Sequence, residues 1–215
     1  MNAATKAGAG AGLVALALVG ALAWRASQNV VEVGYWFDLH PAELPRHVNE
    51  PLGGPFSSQE LASIEQISRT ELESAFDGLR LSFSDRRDTF WKIEVLNDLV
   101  VNTESPYAGW PSGVAESVLL GPLGGRATVS FFSIAQFAVT HAPPGASRQQ
   151  IIDGIGRGIA RAAAHELAHL VAVGDIHDPT DSSSYEFPHA DRAVQYYGEL
   201  HWGRAWPILT AKLGN

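Results

Sequence analysis

The sequence predicts an α+β domain lying behind an N-terminal hydrophobic segment. Three observations carry this: an alternating extended stretch precedes a capped helix, several further extended stretches follow, and a long run of helical periodicity comes after them. The order is strand, helix, strands, long helix.

The hydrophobic segment comes first. From Ala7 to Trp24 the chain runs 18 residues without a charge. That suits an export signal with a small-x-small cleavage pattern at Ala21, Leu22 and Ala23, or a single membrane anchor just long enough to span. Its Gly and Ala content weakens insertion, and Arg25 directly after it blurs the usual charge asymmetry. The chain divides into residues 1–26, signal peptide or anchor, and residues 27–215, one exported domain, secreted or held at a membrane through residues 7–24.

Val30 to Asp38 alternates as a strand does, and a loop rich in Pro and Gly runs from Pro41 to Pro55. Ser57 with Glu60 forms a capping box opening a helix that reaches about Phe76, its stripe being Leu61, Ile64, Ile67, Ser68, Leu72 and Phe76. Leu79 to Ser84 and Phe90 to Leu96 are predicted strands, with Asp85 to Asp88 the turn between them. A loop carrying Pro106, Gly109, Trp110, Pro111 and Gly113 leads to extended segments near Val114 to Leu120 and Ala127 to Phe137.

Pro143, Pro144 and Gly145 then punctuate the chain, and Ser147 with Gln150 makes a second capping box. Behind it Ile151, Ile152, Ile155, Ile159, Ala162, Ala163, Leu167, Leu170 and Val171 recur at helical spacing. Gly154, Gly156 and Gly158 each cost up to about 1 kcal/mol inside a helix. Gly174 is the expected stop, taking the left-handed conformation that turns the chain back. One more helix is expected over Ala190 to Trp202, with Tyr196, Tyr197, Trp202 and Trp206 as heavy apolar bodies. No internal repeat is visible.

Composition narrows the function. The chain is 46% hydrophobic, enough for a core, and its formal charge of −8, with 15 scattered Lys and Arg, excludes a nucleic-acid footprint. It has no cysteine, so disulfides, thiolate metal ligands and a lipidated N-terminal cysteine are excluded.

The chemistry sits in the long helix. His165, Glu166 and His169 have the spacing His-Glu-x-x-His, and residues four apart lie on one helix face, so two imidazoles can point at one ion. Glu166 projects beside that ion, where a carboxylate can take a proton from a metal-activated water. The stretch HELAH resembles the zincin metallopeptidases. That resemblance implies a zincin-like domain with a mixed sheet, a backing helix and a zinc-binding active-site helix. It implies Zn2+ as cofactor, a peptide or protein substrate, and Glu166 as general base and then acid in peptide hydrolysis.

A zinc site of this kind needs a third protein ligand, the fourth position being left to water. Two residues compete. Asp175 lies ten residues after His165, the spacing of the third ligand in the metzincin branch. Taking Gly174 as the turn glycine nominates His177 instead, through Gly-Asp-Ile-His. A distant carboxylate, Glu186 or Glu199, would serve if the chain followed the gluzincin branch. The chain's single methionine is Met1, so the methionine turn of metzincins has no counterpart, and Glu186 falls about where that methionine would stand.

Tyr185 is the leading candidate for a phenol that stabilises the oxyanion, ahead of Tyr196 and Tyr197. The segment Ala127 to Phe137 reads either as an edge strand that holds substrate by strand addition or as an ordinary central strand. Two other functions fit the residues: a metal-keeping binding module at the cell surface without catalysis, and a structural domain in which HELAH is accidental.

Overall fold

The computed structural model describes residues 30–40, 49–50, 52–99, 113–117 and 124–214. The expected N-terminal segment and most of the loop before Gly113 lie outside them. Among the described residues no helix is long and apolar enough to cross a membrane.

The elements run β1 (Val31–Asp38), α1 (Ser58–Ala75), β2 (Leu81–Ser84), β3 (Trp91–Leu96), β4 (Gly113–Ser117), β5 (Gly125–Ser130), α2 (Phe131–Thr140), α3 (Arg148–Ala172), α4 (Val194–Tyr197) and α5 (Trp206–Leu213). The sheet order is β2-β1-β3-β5-β4. Four strands are parallel, and β4 runs antiparallel to β5 at one edge. The α+β expectation is met, with a mixed sheet.

One face of the sheet carries Val33, Tyr35, Ile93, Val95, Ala127 and Val129, all fully buried. Against it pack α1 and α3, and the Tyr35 hydroxyl is hydrogen-bonded to Ser68 of α1 across that seam. Both expected capping boxes form, at Ser57 with Glu60 and at Ser147 with Gln150. Arg148 joins the two helix starts. Its guanidinium donates to the Glu60 carboxylate at 2.5 and 3.0 Å and to the carbonyls of Leu52, Gly54 and Pro55. That pairing is the main reason the Glu60 carboxyl is held down to about 2.

The three glycines of α3 are spent on close approach. A Cβ on Gly156 would stand 2.8 Å from Ile67 of α1, and one on Gly158 or Gly154 would meet the Tyr196 or Tyr197 ring at 2.5 or 2.7 Å. Their helix cost is offset by backbones that pack nearer than any side chain would allow.

Three expectations are corrected, while the Asp85–Asp88 segment lies between β2 and β3 as expected. It carries the chain from β2 across β1 to β3, and β1 accommodates the crossing at Gly34, where a Cβ would stand 2.2 Å from the Arg86 carbonyl oxygen. The extended segment Ala127 to Phe137 stops at Ser130, whose hydroxyl accepts from Ser133 N–H at 3.1 Å and caps α2. Its apolar run, FFSIAQFAV, satisfied both periods, and the cap decided for helix.

The helix expected over Ala190 to Trp202 shrinks to α4, because Gly198 turns extended at φ −103°, ψ −169°, and the chain continues into a bridge between His201 and Ser184. A further helix, α5, begins at Trp206 with Pro207 in its first turn, a start signal that was present in the sequence. Finally, Gly174 is not the left-handed residue ending α3. Val173 is, at φ 56°, ψ 49°.

Candidate metal centre

The site forms where α3 ends. His165 and His169 project from the same face of its last turns, and the chain turns back at Val173 to bring His177 over them. The Nε2 atoms of His169 and His165 lie 3.1 Å apart, and those of His169 and His177 lie 3.2 Å apart. Ligand atoms of all three lie within 4.8 Å of one another, the one such group of His and acidic side chains among the described residues.

Each ring is held from behind. His165 Nδ1 is 2.7 Å from the Tyr185 carbonyl oxygen, and His169 Nδ1 is 3.2 Å from the Gly174 carbonyl oxygen. His177 Nδ1 is 2.8 Å from Asp175 Oδ1, which also accepts the His177 backbone N–H at 2.9 Å. A carbonyl can only accept, so Nδ1 carries the proton in His165 and His169, and the carboxylate imposes the same on His177. With Nδ1 engaged on every ring, the three Nε2 atoms are the ones left to converge.

Such an arrangement is repulsive unless a cation sits among the nitrogens. Two imidazoles 2.0–2.1 Å from a tetrahedral zinc ion stand about 3.3 Å apart, close to the observed spacings. Protonation as an alternative source of charge is disfavoured. Burial, reinforced by neighbouring His169, pushes the His165 imidazole down to about 4, and burial pushes His169 down as well. The donor set fits zinc: three imidazoles, each with its second nitrogen engaged.

Glu166 follows His165 on the buried side of α3, 9% exposed, and burial raises its carboxyl to about 8. It packs against the edge strand: a Cβ on Gly113 of β4 would stand 2.8 Å from Glu166 Cγ and Oε1. A carboxyl with a pKa brought near neutrality is suited to accepting and returning a proton.

The backbone around the site is built to hold it. The cation of Lys212, on α5, reaches the end of α3 and donates to the Val171 and Ala172 carbonyls at 2.8 and 3.0 Å, satisfying groups the helix leaves open. Beneath His165, Tyr185 N–H donates to the His201 carbonyl and Asp178 N–H to the Glu186 carbonyl, each at 3.0 Å.

Of the residues nominated from sequence, His165, His169 and His177 are brought together, and Glu166 follows His165 on α3 with its carboxyl against Gly113 of β4. Asp175 stands behind His177 as its orienting partner, and its carboxyl is lowered chiefly by the His177 backbone N–H. Glu186 and Glu199 lie elsewhere: Glu186 is fully buried on backbone amides, and Glu199 is exposed.

Tyr185 contributes its carbonyl rather than its phenol. The ring stacks on Trp202 at 4.7 Å, and the hydroxyl is pushed up to about 12, chiefly by burial. Tyr196 and Tyr197 donate to the Ala190 and Ala138 carbonyls at 2.7 and 2.6 Å. Of the two readings of the segment that begins at Ala127, the central strand holds: β5 is internal, and among the described residues the edge strand beside Glu166 is β4.

Gly113, the Tyr185 carbonyl and Lys212 escaped sequence reasoning, because none carries a motif and each acts through backbone or distance. The chain matches no protein-family model and no curated protein.

Proposed function

We propose that this chain is a zinc-dependent peptidase of zincin type, with His165, His169 and His177 holding the ion and Glu166 as general base. The observation that carries the reading is the convergence of three imidazoles whose Nδ1 atoms are engaged by two carbonyls and a carboxylate, at the end of a helix that also carries the buried Glu166 carboxyl. A bound zinc ion supplies Lewis acidity, bringing the pKa of a coordinated water toward about 7 and polarising a carbonyl.

The protein's own groups do the rest. Tyr185, Gly174 and Asp175 keep the three rings in the tautomer that leaves Nε2 free. Beside a dication Glu166 is drawn to its ionised form, so its carboxylate takes a proton as water adds to the peptide carbonyl carbon. The same carboxyl returns that proton to the amine as the C–N bond breaks. Gly113 leaves room for this side chain at β4, the outermost strand of the sheet among the described residues, whose main chain suits the addition of an extended peptide. The uncharged run at residues 7–24 supports placing the domain outside the cytoplasm.

A metal-keeping binding module is the second reading. It is favoured by one observation: of the three tyrosines considered for an oxyanion donor, Tyr196 and Tyr197 donate their hydroxyls to backbone carbonyls. Zinc content of the protein purified without added metal, followed by a peptide-library digest with Glu166→Gln as the blank, separates the two. About one zinc per chain with cleavage that falls 10²- to 10⁴-fold in the variant supports the peptidase. Zinc without cleavage supports the binder, and no zinc even after reconstitution ends both.

A further inference from the structure

Glu186 is an expensive residue where it stands. Its side chain is fully buried, and among the described ion pairs none involves it. Burying a carboxylate is tolerated only when hydrogen bonds replace its water. Here three do: the backbone N–H groups of Gly203, Arg204 and Ala205 donate to it at 2.8, 2.9 and 2.7 Å. These amides lie just ahead of α5, whose positive end adds to the attraction.

What this grip immobilises is the peptide bond between Tyr185 and Glu186. Its N–H donates to Ser184 Oγ at 3.0 Å, and its carbonyl oxygen is the atom that His165 Nδ1 meets at 2.7 Å. The other two ligands take their partners locally. His169 uses Gly174, five residues on, and His177 uses Asp175, two residues back. His165 alone depends on a segment 20 residues away, held by nothing in its own helix.

We infer that Glu186 is the positioning residue of the metal centre. By clamping the Gly203–Ala205 amides it fixes the Tyr185 carbonyl on His165 and so keeps that ring's Nε2 free for the ion. A carboxylate does this where packing alone would not, because three directed bonds set the height and angle of the floor beneath the histidines, whereas an apolar side chain sets only its volume. The inference rests on the zinc reading for its consequence, not for its geometry.

The test is Glu186→Gln, which keeps the shape and loses the charge. Ring-nitrogen chemical shifts of the metal-free protein report the tautomers directly. Wild type is expected to show His165 with Nδ1 protonated and Nε2 bare. In the variant the two His165 nitrogens move toward averaged values while His169 and His177 keep theirs, and zinc affinity measured against a competing chelator drops about 10- to 100-fold. A purely structural role would lower Tm and leave the His165 pattern and the affinity unchanged; that result overturns the inference.

Should Glu186→Gln fail to fold, Ser184→Ala loosens the same peptide and is read the same way. A wild type that binds no zinc sinks the metal centre, and the tautomer pattern then decides the role of Glu186 alone.

Discussion

The two halves of α3 do opposite things with the same backbone. Its first half is capped by Ser147 and Gln150, tied down by Arg148, and thinned by glycines so that α1 and the tyrosines of α4 come close. Its second half is rich in alanine, presents His165, Glu166 and His169, and ends on a valine forced into the left-handed region. One half trades helix propensity for packing, the other trades backbone comfort for a turn that places His177. Stability and chemistry should therefore respond to different substitutions along a single helix.

His169→Ala tests that division most severely. It is expected to abolish stoichiometric zinc binding, read by metal analysis after dialysis, while the metal-free chain keeps its far-UV CD spectrum and Tm. Unfolding of the metal-free variant would mean that the chemical half also carries the fold.

Gly158→Ala should do the converse. Its Cβ would meet the Tyr196 ring at 2.5 Å and Ile134 at 2.9 Å, so the expected loss is about 1–3 kcal/mol in urea unfolding, with zinc affinity unaltered. A neutral result would show that the Tyr196 ring has room to retreat.

Acidity acts with opposite sign on two neighbours in the second half. In the metal-free protein the folded His165 pKa of about 4 lies below the unfolded value of 6.5, so the unfolded chain binds more protons between them and stability falls as pH drops from 6.5 to 4. Glu166 runs the other way. Its folded value of about 8 lies above 4.5, so the stability its proton supplies is present at low pH and is lost as pH rises toward 8. Between pH 6.5 and 8 only the glutamate acts of these two, at a cost of about 2 kcal/mol. Thermal melts over that range should decline for wild type and stay flat for Glu166→Gln. Parallel curves would place the proton elsewhere.

The smallest effect is expected at Val173. A β-branched residue at φ 56° carries about 1–2 kcal/mol of strain, part of which glycine recovers after its own entropy cost. Val173→Gly should stabilise by about 0.5–1 kcal/mol, read as a rise of a few degrees in Tm. A lower Tm would mean that the valine side chain contributes more through contacts than its backbone loses.

How much could be read ahead of the fold follows the same split. Both capping boxes, the first strand and the shared face of His165 and His169 rest on contacts within four residues, and periodicity reports those faithfully. Choices between neighbours were less readable. His177 or Asp175 could each have joined the ligands, and the decision fell to the turn at Val173, not at the glycine that propensity favours. Ser130 ended a strand that the apolar run alone would have continued, because a cap outweighed an ambiguous period.

What the sequence determined by itself was the chemistry available: two imidazoles four apart, a carboxyl between them, no thiol, and a formal charge of −8. Only the tertiary structure decided how that chemistry is aimed. It placed β3 across β1 from β2, set β4 at the edge beside Glu166, stacked the Tyr185 ring on Trp202 with its carbonyl on His165, and buried Glu186 on three amides. Each of these depends on groups far apart in the chain meeting out of water. Their energies come from desolvation and directed hydrogen bonds that local pattern does not encode.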